Sequence, residues 1–279
     1  VTCHRPLTLD ELLDLKTKYP TAKLIGGNTE IGIETKFGNR LYPELIDMNH
    51  VLELRELKVK GDGILVGSAA TLSEVESFFK EIIKQEESKQ DKQSFKTRTL
   101  SGIVEMLRWF AGRQIRDVAM IGGNIVTGSP ISDLNPIFMA AKCTLELVSH
   151  SRGTRFVVMD EHFFTGYRKN IIEPDEVLRS ITIPFTQENE YVYAFKQSPR
   201  REDDIAIVNA GMRVAFECDT DIIRDLTLSF GGMAATTVLA TNTMQKLRGK
   251  KWDESMLEVA FTSLSDDLPL SAGTPGGME

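Results

Sequence analysis

The feature that most constrains this chain is a pair of segments in which an apolar run leads into two adjacent glycines and then small polar residues. They are Ile25–Gly32 and Ile121–Asp133. Adjacent glycines permit positive φ and let a ligand approach the backbone closely, and successive N–H groups in such a turn can bind an anion. One segment alone is more often an ordinary tight turn. The pair predicts a pyrophosphate held from two sides, as in a bound dinucleotide.

Neither segment matches the two common phosphate-binding motifs. Both lack the Gly-x-Gly-x-x-Gly spacing of a Rossmann fold, as do Gly61, Gly63 and Gly67, and no Walker loop is present. Side chains of the second segment offer other contacts. The hydroxyls of Thr127 and Ser129 can donate to phosphate oxygens, and Asp133 can accept from a ribose or ribityl hydroxyl.

Sequence signals in the first part of the chain predict helices alternating with short strands. Thr8 and Thr71 are each followed three residues later by a glutamate, the pattern of a capping box. They predict a helix from about Thr8 to Tyr19 and another that begins at Thr71. The stretch Lys84–Arg98 is charged and almost without apolar residues, which predicts an exposed loop.

The pattern changes in the last third of the chain. Apolar residues alternate in Tyr191–Lys196, Ile207–Phe216 and Ile223–Phe230, which predicts antiparallel strands. We therefore predict two domains, a mixed α/β domain over residues 1–188 and a smaller sheet-plus-helix domain over residues 189–279.

Composition excludes several classes of protein. The chain has 279 residues, is 41% hydrophobic and 26% charged, and carries a net charge of -7. An acidic chain is a poor partner for nucleic acid or an anionic membrane surface, and no apolar run approaches the roughly 20 residues that span a bilayer. Cys3, Cys143 and Cys218 are isolated, as expected for reduced thiols in the cytoplasm. No residues have the spacing of metal ligands.

Two further segments allow a structural or a functional interpretation. Ser198–Ile205 combines two arginines with three acidic residues; it is either a solvated loop or an electrostatic gate over a cofactor. Trp109 and Phe110 are adjacent, so one helix face cannot bury both. Either they pack in the core, or Arg108 or Arg201 stacks on Trp109 in a cation–π pair.

Four runs carry a resemblance that covers essentially the whole chain: KLIGGNTEIG, LRWFAGRQIRDVAMIGGNIVTGSPISDLNP, FFTGYRK and AFKQSPRREDDIAIVNAGMRV. They resemble the FAD domain of the xanthine dehydrogenase and aldehyde oxidase family of molybdo-flavoenzymes. The resemblance implies an α+β fold of the p-cresol methylhydroxylase type. In that fold two α/β subdomains are followed by a C-terminal subdomain of antiparallel sheet and helices.

The resemblance also implies which residues contact FAD. The expected cofactor-binding residues are Leu24, Ile25, Gly26, Gly27, Asn28, Thr29, Glu30, Ile31, Gly32, Phe110, Met120, Gly122, Gly123, Asn124, Thr127, Ser129, Asp133, Leu178 and Lys196. Phe110 is expected beside the isoalloxazine ring. Met120 stands where the family commonly has a small polar residue.

A second group is expected on the side where NAD enters and in the loop that governs the choice of electron acceptor. Its members are Glu30, Tyr167, Arg108, Trp109, Arg201 and Asp203. Asp203 is expected to disfavour anionic flavin, and Arg108, Trp109 and Arg201 to hold the loop. The family's chemistry requires no general acid or base in this chain.

The implied function is one step in an electron-transfer chain. Hypoxanthine or xanthine is hydroxylated at a molybdenum centre, electrons cross 2Fe-2S clusters, and FAD in this chain passes a hydride to NAD. The molybdopterin and iron–sulfur domains would lie in the same polypeptide, which would form a homodimer. Consistent with that expectation, the chain starts with Val1 and ends without a closing element, so we expect it to be part of a longer protein. A cytoplasmic location is expected, with the peroxisome as the alternative.

Two other functions remain open from sequence. An aldehyde oxidase would share the architecture but use oxygen and not NAD. A non-enzymatic nucleotide-binding module would bind the cofactor without transferring electrons.

Overall fold

The computed structural model of the protein describes residues 1–88, 93–200, 203–270 and 273. The α-helices in these ranges are α1 (Leu9–Lys18), α2 (Ile31–Lys36), α3 (Leu72–Glu87), α4 (Arg98–Arg108), α5 (Arg113–Arg116), α6 (Ile121–Thr127), α7 (Asn135–Ala140), α8 (Thr241–Leu247) and α9 (Ser255–Asp267). None of them is long and apolar enough to cross a membrane.

The strands form three principal sheets and one short hairpin. They are β1 (Thr2–His4), β2 (Lys23–Ile25), β3 (Glu44–Asp47), β4 (Leu57–Val59), β5 (Gly63–Gly67), β6 (Thr144–Ser149), β7 (Gly153–Val158), β8 (Phe164–Gly166), β9 (Lys169–Asn170), β10 (Val177–Pro184), β11 (Glu190–Gln197), β12 (Val208–Phe216), β13 (Ile223–Gly231) and β14 (Val238–Leu239).

The first sheet is parallel, with the strand order β1-β3-β2. Helix α1 connects β1 to β2, as the sequence predicts. The Thr8 hydroxyl caps it by accepting from the Glu11 N–H at 3.2 Å, but the Glu11 carboxylate accepts from the Leu7 N–H, so the reciprocal half of the capping box is missing. Leu12 and Ile46 are fully buried between α1 and the sheet. This small core fixes the end of β2, where the first glycine pair begins.

The second sheet has the order β4-β5-β10-β6-β7, and the strand pairs in it are antiparallel. It contains the hairpins β4–β5 and β6–β7. Helices α3 and α4 cover one face, and Phe79, Ile103 and Leu147 are fully buried in this core. The capping box at Thr71 forms in full, since Thr71 and Glu74 each accept from the other's backbone N–H.

The prediction of an exposed loop over Lys84–Arg98 is wrong for the residues that the structure describes. Helix α3 continues to Glu87, residues 93–97 form a 3-10 segment, and α4 begins at Arg98. Lysine, glutamine and glutamate are good helix formers, so a charged stretch can prolong a helix that its apolar face has already started. The segment after the gap is held by Thr186, whose N–H donates to the Lys96 carbonyl at 3.1 Å. Residues 89–92 lie outside the described ranges.

The third sheet is antiparallel with the order β11-β12-β13-β14, and it confirms the three predicted strands. Helices α8 and α9 pack on it over a separate core that contains Leu226 and Leu247. The sheet also lies close to α7. A Cβ at Gly211 would come within 2.3 Å of the Pro136 carbonyl oxygen, so glycine is required where β12 crosses the helix. The predicted α+β architecture is confirmed.

Candidate cofactor-binding cavity

A cavity of about 660 Å³ lies where the end of β2, helix α6 and the segment after β11 meet. Both glycine-pair segments line it. Its apolar wall includes Leu24, Phe110, Ile115 and Leu178. We call it the first cavity.

The first glycine pair joins β2 to α2 and approaches the 118–120 segment very closely. A Cβ at Gly27 would come within 1.9 Å of the Val118 carbonyl oxygen, and one at Gly26 within 2.1 Å of the Met120 sulfur. Neither glycine has positive φ; the left-handed residue is Asn28, at 57°. The conformational freedom of the two glycines is therefore not used here. The glycines allow two parts of the cavity wall to touch.

The second glycine pair lies in a helix and not in a loop. Residues 121–127 form α6, which ends at Gly128 with a left-handed φ of 58°. The Gly122 N–H donates to the Ser68 carbonyl at 2.9 Å, and a Cβ at Gly122 would come within 2.7 Å of that same oxygen. A Cβ at Gly123 would meet nothing within 4 Å. Gly122 thus packs against the end of β5, whereas Gly123 faces open space.

Asp133 forms a buried ion pair at the edge of the first cavity. Its Oδ2 accepts from the Lys196 Nζ at 2.8 Å, and their side chains are 10% and 6% exposed. Burial raises the pKa of Asp133, and the bond from Lys196 offsets part of that shift. Lys196 also donates to the Trp109 carbonyl at 2.9 Å. The lysine therefore orients Asp133 and the 109–111 turn from behind.

Two buried oxygen atoms of lining residues have no hydrogen-bond partner among the residues that the structure describes. They are Oγ of Ser68 and Oδ1 of Asp133. A buried polar atom without a partner costs free energy, and a ligand with hydroxyl or amide groups would remove that cost. Together with the apolar wall, these atoms fit a molecule that combines a polar chain with an aromatic ring, as FAD does.

Most of the residues expected to bind FAD line the first cavity. Those that do are Leu24, Ile25, Gly26, Gly27, Asn28, Thr29, Glu30, Ile31, Phe110, Met120, Gly122, Gly123, Asn124, Thr127, Ser129, Asp133 and Leu178. Gly32 and Lys196 are not among the lining residues. Gly32 lies inside α2, and the Lys196 ammonium group is used by Asp133 and Trp109.

A smaller second cavity of about 260 Å³ shares Lys23, Glu30, Val126 and Thr127 with the first. The residues that line only the second are Glu34, Arg40, Tyr167, Arg168 and Lys169. Arg168 donates to the Glu30 carboxylate. The structure therefore brings Tyr167 and Glu30 to one cavity beside the first.

The segment between β11 and β12 closes another side of the first cavity. Arg200, Asp203 and Asp204 line it, and Asp203 has a left-handed φ of 50°. The Asp204 carboxylate accepts from the Arg200 N–H at 2.9 Å and from its Nε at 3.3 Å. Bonding to Arg200 lowers the pKa of Asp204. Arg201 lies outside the described residues.

Arg108 and Trp109 form the expected cation–π pair, with the guanidinium carbon 4.7 Å from the ring centroid. Neither residue lines the first cavity. Trp109 also donates from Nε1 to Glu105 at 3.0 Å.

Sequence reasoning missed several lining residues, among them Met48, Ser68, Ala111 and Ile115. The run of small residues that begins at Gly67 was a usable signal for Ser68. A glycine followed by small residues marks a place where other chain segments come close. Here a Cβ at Gly67 would come within 2.2 Å of the Leu54 carbonyl oxygen, and Ser68 lies against Gly122 of α6.

Known proteins match this chain over its whole length. The FAD binding domain in molybdopterin dehydrogenase matches residues 1–186, and the CO dehydrogenase flavoprotein C-terminal domain matches residues 193–279. Xanthine dehydrogenase/oxidase of Gallus gallus is 48% identical over 98% of the chain, and that of Rattus norvegicus is 48% identical over 100%. The chain spans only 20% of the length of each of these relatives.

Solved structures share the fold. Carbon monoxide dehydrogenase from Hydrogenophaga pseudoflava superposes with a TM-score of 0.84 at 20% identity, covering 99% of this chain and 89% of the other. Quinoline 2-oxidoreductase from Pseudomonas putida 86 superposes with a TM-score of 0.80 at 19% identity, with the same coverage of 99% and 89%. The expected FAD-binding fold and family are confirmed. The chain belongs to the family of FAD-binding domains of molybdopterin dehydrogenases.

Proposed function

We propose that this chain is the flavin domain of a xanthine dehydrogenase, where it receives electrons from iron–sulfur clusters and delivers a hydride to NAD. The observation that carries the proposal is the single cavity that both glycine-pair segments line. Bound FAD supplies the electron and hydride transfer, and the protein supplies binding, orientation and electrostatics.

Different residues of the chain would bind different parts of FAD. Asn28, Thr127 and Ser129 offer polar groups for the phosphates, and Asp133 offers a carboxylate oxygen for a ribityl hydroxyl. Phe110 and Leu178 provide apolar surface for the ring system and exclude water from it.

The second cavity supports NAD as the acceptor. It adjoins the first at Glu30. In its lining Lys23, Arg40, Arg168 and Lys169 outnumber the carboxylates of Glu30 and Glu34, which leaves a net positive charge that suits the phosphates of a dinucleotide. The Tyr167 side chain is 62% exposed there, so its ring is accessible to an incoming ligand.

The position of Asp203 supports its proposed role in the choice of electron acceptor. It lines the first cavity in the segment between β11 and β12. A carboxylate beside the ring would repel negative charge that develops on the flavin, and so disfavour acceptors that depend on an anionic flavin.

The wider setting remains part of the proposal. The relatives are about five times as long as this chain, which leaves room for molybdopterin and 2Fe-2S domains in the same polypeptide. We propose hypoxanthine or xanthine as the substrate at the molybdenum centre, a homodimeric enzyme and a cytoplasmic location.

A stopped-flow experiment on the full-length enzyme tests the proposal. NADH is mixed with the oxidised enzyme under anaerobic conditions, and flavin absorbance is followed. Rapid bleaching is expected, because hydride transfer to the flavin is the reverse of the proposed step. An enzyme that holds FAD but is not bleached by NADH would contradict the dehydrogenase assignment and favour an aldehyde oxidase.

A further inference from the structure

The turn between α4 and α5 forms part of the wall of the first cavity. Phe110 and Ala111 both line the cavity. Ala111 has a φ of 40°, in the left-handed region that residues with a Cβ rarely adopt. Such a conformation persists only where surrounding contacts hold it.

Two cations hold three successive carbonyl groups of this turn. Lys196 donates to the Trp109 oxygen at 2.9 Å. Arg116 donates from one nitrogen, Nη1, to the Phe110 oxygen at 2.8 Å and to the Ala111 oxygen at 2.7 Å. Hydrogen bonds from a charged donor are stronger than neutral ones, and Arg116 is the cation that bonds the strained residue itself.

Arg116 also lies beside a carboxylate of helix α3, at a distance that allows an ion pair but no hydrogen bond. Its Nε lies 3.7 Å from the Glu76 carboxylate on α3, and both side chains are only 14% exposed. Arg116 does not line the first cavity. Its neighbour Arg113 differs, because its side chain is 71% exposed and pairs with Asp117 at 2.7 Å.

We infer that Arg116 is a positioning residue for the flavin, which fixes the Phe110–Ala111 turn so that the Phe110 ring keeps its place against the cofactor. The inference rests on the proposed FAD site in the first cavity. Without the guanidinium group, Ala111 would relax towards an allowed conformation, the Phe110 ring would move, and water would enter beside the isoalloxazine.

Arg116→Ala and Arg113→Ala in the full-length enzyme provide the test, since the two arginines lie on the same short helix. Arg116→Ala is expected to weaken FAD binding about tenfold and to blur the fine structure of the visible flavin band, as exposure to water does. Arg113→Ala should leave both unchanged. Arg116→Lys keeps one charged donor and should give intermediate values.

Two results would overturn the inference. One is an Arg116→Ala enzyme with the flavin spectrum and FAD dissociation constant of the wild type. The other is an equal loss in Arg116→Ala and Arg113→Ala, which would show a general weakening of α5.

Glu76→Gln is a second variant, to be used if Arg116→Ala fails to fold. It keeps Arg116 but removes the carboxylate behind it, and should shift the spectrum in the same direction by a smaller amount. An unchanged Glu76→Gln spectrum would then refute the inference. Failure of the proposed function is distinguishable, because it appears in the wild type as bound FAD that NADH does not bleach.

Discussion

The segments Ile25–Gly32 and Ile121–Asp133 begin with the same pattern, yet they have different backbones. The first turns at the left-handed Asn28, whereas the second winds into α6. In both, a glycine is required because another chain segment lies where a side chain would be. At Gly27 that segment is the Val118 carbonyl, and at Gly122 it is Ser68. The shared pattern therefore predicts close approach, and the surrounding structure decides the conformation.

The largest effect is expected where the two segments touch. Gly27→Ala places a Cβ 1.9 Å from the Val118 oxygen, so backbone must move, at a cost of about 3 kcal/mol. We expect the purified chain to melt at a lower temperature and to take up no FAD. Gly61→Ala is the control, since its Cβ meets nothing within 4 Å and the residue lies in the β4–β5 turn, outside the lining of the first cavity. Equal behaviour of the two variants would contradict the account of the glycine pairs.

Asn28→Asp tests whether the first segment contacts the pyrophosphate. A carboxylate beside phosphate oxygens should weaken FAD binding roughly a hundredfold through charge repulsion, measured by fluorescence titration and reduced by added salt. Asn28→Gly is the comparison, because it relaxes the left-handed φ of 57° and removes the amide without adding charge, so it should weaken FAD binding much less than Asn28→Asp does. If Asn28→Asp binds FAD as the wild type does, the pyrophosphate lies elsewhere.

Lys196→Met tests the ion pair of Asp133, the last residue of the second segment. It leaves the buried Asp133 carboxylate without its cation and frees the Trp109 carbonyl, which should lower stability by about 3 kcal/mol and weaken FAD binding about tenfold. Thermal melting and FAD titration measure the two effects. Because the double variant Asp133→Asn/Lys196→Met has no unpaired charge, it should recover part of the stability. No recovery would show that the ion pair is not what stabilises this region.

The smallest effect is expected at Ser68, where β5 meets α6. Its buried Oγ has no hydrogen-bond partner in the described part of the chain, so Ser68→Ala should not destabilise the chain without cofactor. If FAD satisfies this oxygen, the variant should bind it about fivefold more weakly. Ser101→Ala, at an exposed position on α4, is the matched control. An FAD affinity equal to that of the control would remove Ser68 from the site.

Sequence patterns predicted the elements with strong local signals, and the family resemblance implied many of the residues that line the first cavity. The capping residue at Thr71 and the alternating strands after residue 188 are set by nearby residues, and both were confirmed. Helix α6 was taken for a loop, because two glycines lower helix propensity and the bond from Gly122 to Ser68 joins distant parts of the chain. Nothing in the sequence pointed to Arg116, because its role depends on the positive φ of Ala111, which only the folded structure shows.

Sequence reasoning also did not show how Lys196 is held. Its contact with the flavin stays a prediction, and in the folded chain β11 directs its ammonium group to Asp133 and to the Trp109 carbonyl. Only the folded structure shows that the Lys196 ammonium group is already paired with the Asp133 carboxylate.

The central claim is that the two glycine-pair segments form one FAD site. FAD titration of the purified 279-residue chain tests it most directly, with flavin absorbance and fluorescence as readouts. The account predicts a yellow protein that binds one FAD per chain, and a Gly27→Ala variant that does not. A wild-type chain that stays colourless and takes up no FAD would contradict it.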